Sequence, residues 1–372
     1  MPTIAKDRLK ELLNNNTLNE AERRITQLRL DYSEATTLLN HYIAKLSGTD
    51  RIYPQVRPTQ KTGRYSTTNP PLTNFPKKCI NPSCPQERHR KTEECWSLRD
   101  VIMPDEGEFW YDGDADAIEA RIYALLLQWE HRIEEFNRNL DIHTPVTCNL
   151  FGITLPSNFE TCHMDEENLN WRIVTQWQGK DDKRRTMSKN FTYGGQYFYV
   201  ERSSRNIRPP NYRYKELIYN PEFVLGIPGI NEYGLEVNEL IKLAHKFVES
   251  NYEVQLRKAD EMERIRKSKI SRTLYGARRV FYQQSTETAK EGFNQQIQGT
   301  VVDYMNQTEI MLAKEFPTSH FIHNAHDGLK WAFDLKDQDK VMQSIKGITE
   351  RPLRYKDHSI MITFTGRFIY NV

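Results

Sequence analysis

The 372-residue sequence has only five cysteines, an odd number, and no apolar run long enough to cross a bilayer. So small and odd a cysteine count argues against a disulfide framework and for a reducing compartment. The longest apolar run, IYALLL at 122–127, falls far short of the roughly 20 residues that a spanning helix needs. The amino-terminal MPTIAKDRLKELL lacks the apolar core of a secretory signal, so a soluble, cytoplasmic chain is expected. Charge of one sign is also scarce overall: the net value is +2. A polyanionic partner would have to be met by local basic patches, not by a global field. Three such patches are GKDDKRR at 179–185, the arginines of 202–213 and RKADEMERIRKSK at 257–269. Internal repeats and low-complexity tracts are absent.

What is present suits a folded protein of two or three subdomains, with 38% hydrophobic and 27% charged residues. Residues 18–46 read as a long helix. Thr17 and Glu20 form a capping-box pattern, Leu28, Tyr32, Leu39, Ile43 and Leu46 recur at helical spacing, and Gly48 marks the stop. EFWYDGD at 108–114 reads as a buried strand, followed by a helix over about 115–128. From 129 to 270 the pattern is mostly helical, interrupted by a stretch at 202–223 rich in Arg, Pro and Tyr, which reads as an exposed loop. A long charged helix is expected over 236–269 and another over 289–315. FIHNAHDGLKWAF at 321–333 predicts a hairpin turning at Asp327-Gly328, with Leu329, Trp331 and Phe333 alternating on its second strand.

Two places carry the sharpest chemistry. In RRTMSKNFTYGGQY, Arg185, Lys189, Tyr193 and Tyr197 follow at intervals of four, which on a helix stacks two cations and two phenols along one face. Such a face suits phosphates and a flat base together, although a solvated basic face with core tyrosines has the same pattern. Asp114 ends a strand and Asp327 sits at a hairpin tip. Strand ends bring distant carboxylates together, and two of them with phosphate oxygens make a hard site for Mg²⁺. A calcium loop at DGDADAIE is excluded, because Ala117 stands where glycine is needed and Tyr123 where glutamate is needed. Cys79, Cys84, His89 and Cys95 supply a candidate tetrahedral Zn²⁺ site with a loose first spacing, against a loop of unpaired thiols.

In order along the chain, these blocks resemble the palm and fingers of family A DNA polymerases, the bacterial polymerase I and phage replicative type. GRYSTTNPPLTNFP at 63–76, DADAIEAR at 114–121, RTMSKNFTYGGQY at 185–197 and HDG at 326–328 carry the likeness, supported by DIHTPVTCNLFG at 141–152 and FNQQIQGTVVDYM at 293–305. The resemblance implies an α+β right-hand fold with an antiparallel palm sheet. A reduced thumb helix would occupy 1–48, the palm 49–125 and 286–372, and the fingers 126–285. It implies template-directed transfer of deoxynucleotides to a primer 3′-hydroxyl, with Asp114 and Asp327 holding two Mg²⁺ ions and Lys189 as the third catalytic group. Arg185, Tyr193, His143 and Glu119 would bind the nucleotide, Glu119 by crowding the sugar 2′ position. Arg64, Tyr197, Asn294, Gln298, His326 and Lys290 would lie along primer and template. Primer–template DNA and deoxynucleoside triphosphates are the implied partners. A reduced thumb and no room for a 3′–5′ exonuclease before residue 49 lead to an expected processivity partner.

Several residues depart from the family pattern. Gly328 replaces a common third carboxylate, Lys290 a usual arginine, Ala115 and Ala117 larger motif residues, and Phe198 a usual glycine. Tyr193 stands where many relatives have phenylalanine, which implies weak discrimination against dideoxynucleotides. Two other classes stay open: a single-subunit RNA polymerase-like enzyme, against which Glu119 speaks, and a non-catalytic accessory protein with the same fold.

Overall fold

The computed structural model describes residues 8–9, 12–13, 18–48, 51–57, 62–72, 75, 97–140, 142–152, 162–165, 170–173, 183–203, 212–214, 216–227, 230, 234–325 and 327–371. The chain divides into two compact units: residues 1–60 with 65–103, and residues 61–64 with 104–372.

The first unit is built on helix α1 (Glu20–Leu38), which continues through a π-helical turn at Leu39–Ile43 to Ala44–Leu46. Its start differs from the expected one. Asn19 is the N-cap and forms a reciprocal capping box with Glu22, so the helix begins two residues later than the Thr17–Glu20 pattern implied. The apolar stripe is solvent-facing, with Leu28, Tyr32, Leu39 and Ile43 all exposed. Helical spacing reports a shared face; it does not say what covers that face. A short hairpin of β1 (Gln55–Arg57) and β2 (Ser66–Thr68) completes the described part, and Tyr42 sets its ring edge-on to Phe75 at 5.2 Å.

The second unit is organised around a four-stranded antiparallel sheet in the order β11-β12-β3-β15. These strands are β3 (Glu108–Ala115), β11 (His320–Ala325), β12 (Gly328–Asp334) and β15 (Phe364–Tyr370). Phe109, Trp110 and Tyr111 of β3 are buried on successive positions, as expected for a central strand. The β11–β12 hairpin forms where predicted, with Leu329, Trp331 and Phe333 buried. Its register differs from the expected turn at Asp327-Gly328: Ala325 pairs with Gly328, so Gly328 already belongs to the strand.

Helices α2 (Ile118–Leu126), α3 (Glu130–Asn137), α4 (His143–Phe151) and α5 (Lys183–Tyr197) follow β3. A hairpin of β4 (Cys162–Asp165) and β5 (Asn170–Ile173) lies between α4 and α5. The described residues of the 202–223 stretch are not an exposed loop. Strand β6 (Val200–Arg202) enters a three-stranded sheet with β7 (Tyr212–Tyr214) and β8 (Leu217–Tyr219), and Leu217, Ile218 and Tyr219 are buried. Its arginines and prolines masked a short apolar strand that tertiary packing claims. The charged helix expected over 236–269 is two helices, α6 (Val237–Ser250) and α7 (Tyr252–Ser268), broken at Asn251.

The hairpin of β9 (Ile270–Arg272) and β10 (Arg278–Val280) leads to the 30-residue helix α8 (Thr286–Glu315). Phe293, Ile297, Val301, Met305 and Leu312 recur on its buried side and are fully enclosed, each worth about 1.5–3 kcal/mol of burial. Helix α9 (Gln338–Thr349) and the hairpin of β13 (Pro352–Tyr355) and β14 (His358–Met361) close the fold. No helix among the described residues is long and apolar enough to cross a membrane.

Candidate active site

Asp114 and Asp327 become neighbours through strand pairing. Asp114 lies opposite Gly328 on β12 and opposite Thr365 on β15. The amide of Ala115 donates to the carbonyl of Asp327 at 2.9 Å. Paired Cα atoms in such a ladder stand about 4.5–5.5 Å apart, so the two aspartates occupy adjacent positions despite their separation in sequence. Asp114 is exposed and Asp327 partly exposed, which keeps both within reach of solvent ions. Among the described residues no group of three or more His, Cys, Asp or Glu side chains is set to hold a metal. Two carboxylates still fit Mg²⁺, which takes one or two of them and completes its shell with water and substrate phosphates.

The chain leaves β3 through a tight left-handed residue. Ala117 has φ 49° and ψ 35° and caps α2 without a side-chain hydrogen bond. A non-glycine residue there costs about 1–2 kcal/mol, so the surrounding fold must hold it. Arg121 does much of that holding: its buried guanidinium donates to the carbonyls of Asp116 at 2.8 Å, Phe136 at 3.3 Å and Met361 at 2.8 Å, and to Thr363 Oγ1 at 2.9 Å. Burial lowers its pKa to about 10, and it remains cationic at neutral pH. Its anchoring role was missed from sequence; the only signal was its place at the end of DADAIEAR.

Two residues into α2, Glu119 is clasped from both sides. Tyr197 donates its hydroxyl to Glu119 Oε2, and Arg64 donates from Nη2 to Glu119 Oε1. Gln298 of α8 also hydrogen-bonds Tyr197. Burial first, and the Glu119 charge second, push the Tyr197 phenol well above its ordinary value, so it stays a neutral donor. Four residues expected at the site, Arg64, Glu119, Tyr197 and Gln298, thus form one polar cluster. Two further atoms are buried without hydrogen-bond partners among the described residues: Arg64 Nε, a donor within the cluster, and Asn294 Oδ1, an acceptor one turn before Gln298 on α8. Orphaned polar atoms of this kind call for a ligand or water.

Helix α5 presents the remaining groups. Met187 and Phe191 bury its back, while Lys189 is exposed and Tyr193 half-buried. Lys189 Nζ lies 5.9 Å from the centre of the Tyr193 ring, and the buried His143 ring of α4 lies 5.6 Å from the same ring. Lys189, Tyr193 and His143 are therefore gathered on one side of the helix. The glycines after Tyr193 permit close approach: a Cβ on Gly194 would meet Ile227 Cγ1 at 2.7 Å, and one on Gly195 would meet Phe247 Cε1 at 2.7 Å.

Lys258 of α7, not singled out from sequence, is fully buried and donates to the Gly195 carbonyl at 2.8 Å. Its Nζ stands 4.0 Å above the Phe198 ring, which stacks on Phe223 at 3.9 Å. Phe198, unusual against the family pattern, is thus fixed by an aromatic partner and a cation. Lys290 is exposed, pairs with Glu287 at 3.3 Å, and borders a cavity of about 310 Å³ with Phe198, Tyr199, Tyr219 and Asn220. His326, Cys79, Cys84, His89, Cys95 and the Arg185 side chain lie outside the described residues.

These features define an α+β fold in which strand-end carboxylates share a unit with a helix bearing a cation and two phenols. A family model described as DNA polymerase family A matches residues 3–162. DNA polymerase I of Caldicellulosiruptor bescii is 26% identical over 182 residues, which are 47% of this chain and 20% of that protein. DNA polymerase I of Borreliella burgdorferi is 29% identical over 153 residues, 41% of this chain and 15% of that one. DNA polymerase DpoZ of Salmonella phage PMBT28 is 24% identical over 200 residues, 53% of this chain and 29% of that one. A solved structure of the POL domain of Pol1 from M. smegmatis, in complex with DNA primer-template and dNTP, matches with a TM-score of 0.67 at 18% identity. That match covers 99% of this chain and 56% of the other. The chain is thus similar in sequence, over part of its length, to bacterial and phage DNA polymerases and shares the fold of the Pol1 POL domain. The matched segments span less than a third of the three curated relatives' lengths.

Proposed function

We propose that the chain is a template-directed DNA polymerase that adds deoxynucleoside monophosphates to a primer 3′-hydroxyl. The observation that carries the proposal is the register that sets Asp114 and Asp327 side by side at the strand ends. In this reading the primer 3′-oxygen attacks the α-phosphorus of the triphosphate, a new P–O bond forms, and the bond to the bridging oxygen breaks to release pyrophosphate. Divalent cations on Asp114 and Asp327, two Mg²⁺ ions by family resemblance, would lower the pKa of the attacking hydroxyl and neutralise the leaving group. Lys189 donates to the departing pyrophosphate, where negative charge builds. Arg185, one turn earlier on α5, shares the triphosphate with it. His143, against Tyr193, lies near the incoming phosphates. Tyr193 packs its ring on the sugar and base.

Glu119, held by Tyr197 and Arg64, sets a fixed wall near the sugar 2′ position, which favours deoxyribose over ribose. Arg64 Nε and Asn294 Oδ1, with Gln298, His326 and Lys290, serve primer and template. The palm would comprise 49–125 and 286–372, the fingers 126–285 and the reduced thumb 1–48. A processivity partner and a zinc ion on Cys79, Cys84, His89 and Cys95 are further parts of this reading. Primer extension on a DNA template with Mg²⁺ tests it. Wild-type protein is expected to extend and Asp327→Ala is not. Failure of the folded wild type, or undiminished extension by Asp327→Ala, rejects the proposal.

A further inference from the structure

The basic stretch at 257–269 looked in sequence like a surface for a polyanion, but the fold spends most of its charge. Arg264 pairs with Glu261 at 2.6 Å, Arg266 with Glu263 at 2.6 Å and Lys267 with Glu263 at 3.2 Å, while Lys258 is buried. Uncommitted charge lies one step further on. Residues 269–284 contain Lys269, Arg272, Arg278 and Arg279 and not a single carboxylate. They form the β9–β10 hairpin, whose inner side carries the buried Ser271 and Arg279, the latter neutralised by Glu291 at 2.6 Å.

The outer side is different. Arg272 and Arg278 are direct cross-strand partners, both exposed, and neither has an acidic partner among the described residues. Like charges set directly opposite each other destabilise a hairpin. The hairpin has only two strands, held on α8 through Ser271, whose hydroxyl donates to the Gly292 carbonyl at 2.6 Å, so no third strand among the described residues offsets the opposed pair. The same side carries Val280, 51% exposed, and beyond it Tyr282, 95% exposed. Two arginines without an acidic partner among the described residues, with a bare phenol ring four residues beyond Arg278, are the elements of a single-strand platform: cations for the phosphates and a ring for the base. Duplex phosphates would use the arginines but would leave the ring and Val280 without a role.

We propose that the outward side of the β9–β10 hairpin binds single-stranded nucleic acid, with Arg272 and Arg278 bridged by backbone phosphates and a base stacked on Tyr282. The identity of that strand as unpaired template rests on the polymerase reading above. The first element after the hairpin supports the connection. Helix α8 carries Lys290, Asn294 and Gln298 at intervals of four, a row about 12 Å long that ends at Tyr197.

The test is fluorescence anisotropy in EDTA, which removes catalysis, with a primer–template bearing a 5′ overhang and with a blunt duplex. Wild type is compared with Arg272→Gln/Arg278→Gln and with Tyr282→Ala. On the overhang substrate, the double variant is expected to lower the slope of log affinity against log salt by about 1.4, at about 0.7 per lost phosphate contact. Tyr282→Ala is expected to weaken binding by roughly 5- to 150-fold, the range of one base–aromatic stack. Blunt-duplex binding stays unchanged. An unchanged slope, or equal losses on both substrates, overturns the proposal. Thermal melting of the free proteins supplies the second check. Relief of the opposed charges should leave the double variant at or above the wild-type melting temperature, and a drop would remove the premise. Primer extension by wild type is scored separately. Overhang selectivity without extension rejects the polymerase reading and keeps the hairpin site; extension without selectivity does the reverse.

Discussion

The sheet that carries Asp114 and Asp327 and the helix that carries Lys189, Tyr193 and Tyr197 are secured in opposite ways. Strand β3 is hydrogen-bonded on both edges, to β12 and β15, so the position of Asp114 is fixed by two ladders. Helix α5 has no ladder. Packing holds it through Met187 and Phe191, two glycines fitted against Ile227 and Phe247, and one buried lysine on a carbonyl. Groups that must not move sit on the doubly bonded strand. The groups proposed to hold the substrate sit on an element whose seating depends on a few contacts, and those contacts can be changed one at a time.

The largest expected effect is on the fixed side. Asp114→Asn should cost several kcal/mol of transition-state stabilisation, about 1,000-fold or more in kcat, because a cation would lose one of its two anchors. Since Asp114 is exposed, its melting temperature should stay near wild type, and a large drop would mean that the residue is structural. On the helix side, Gly195→Ala drives a methyl into the Phe247 ring. It should cost about 1–3 kcal/mol in denaturant unfolding, whereas an unchanged midpoint would show that α5 shifts freely.

Glu119→Ala tests the clasp. It should raise the relative kcat/KM for ribonucleotides by about tenfold or more, while leaving Tyr197 and Arg64 without their shared acceptor. Unaltered sugar selectivity would remove Glu119 from the nucleotide site. Tyr193→Phe should sharpen discrimination against dideoxynucleotides. Strong rejection by wild type, unchanged in the variant, would contradict a role for its hydroxyl.

Lys258 gives the smallest effect and one with a sign. Burial holds its pKa well below 10.5 in the fold, whereas the unfolded chain keeps the ordinary value. The unfolded state therefore binds more protons between the two values. The destabilisation is complete below the folded pKa and fades as pH rises towards 10.5. Stability of wild type should rise with pH through that window, and Lys258→Met should flatten the rise in urea titrations.

Periodicity made the sheet and long helix α8 legible, because alternation in GLKWAF and the spacing of Phe293, Ile297 and Val301 each fit one regular element. Helix α5 was also legible, from its four-residue spacing and the motif it resembles. Strands β7 and β8 were not, because three-residue strands offer too short a pattern and sit among arginines and prolines. Lys258 was hidden for another reason. It lies in a run of charges that reads as a solvated surface, and only tertiary packing decides which cation turns inward. The same run suggested a polyanion surface that the fold neutralises, while the pair Arg272 and Arg278, without an acidic partner among the described residues, lay just beyond it.

Binding of Mn²⁺, followed by its electron paramagnetic resonance signal in the presence of primer–template and nucleotide, tests the pairing of the two aspartates most directly. Wild type should quench the free-ion signal at stoichiometric metal, and Asp114→Asn and Asp327→Asn should each abolish most of that binding. Wild-type affinity in either variant would contradict the shared site.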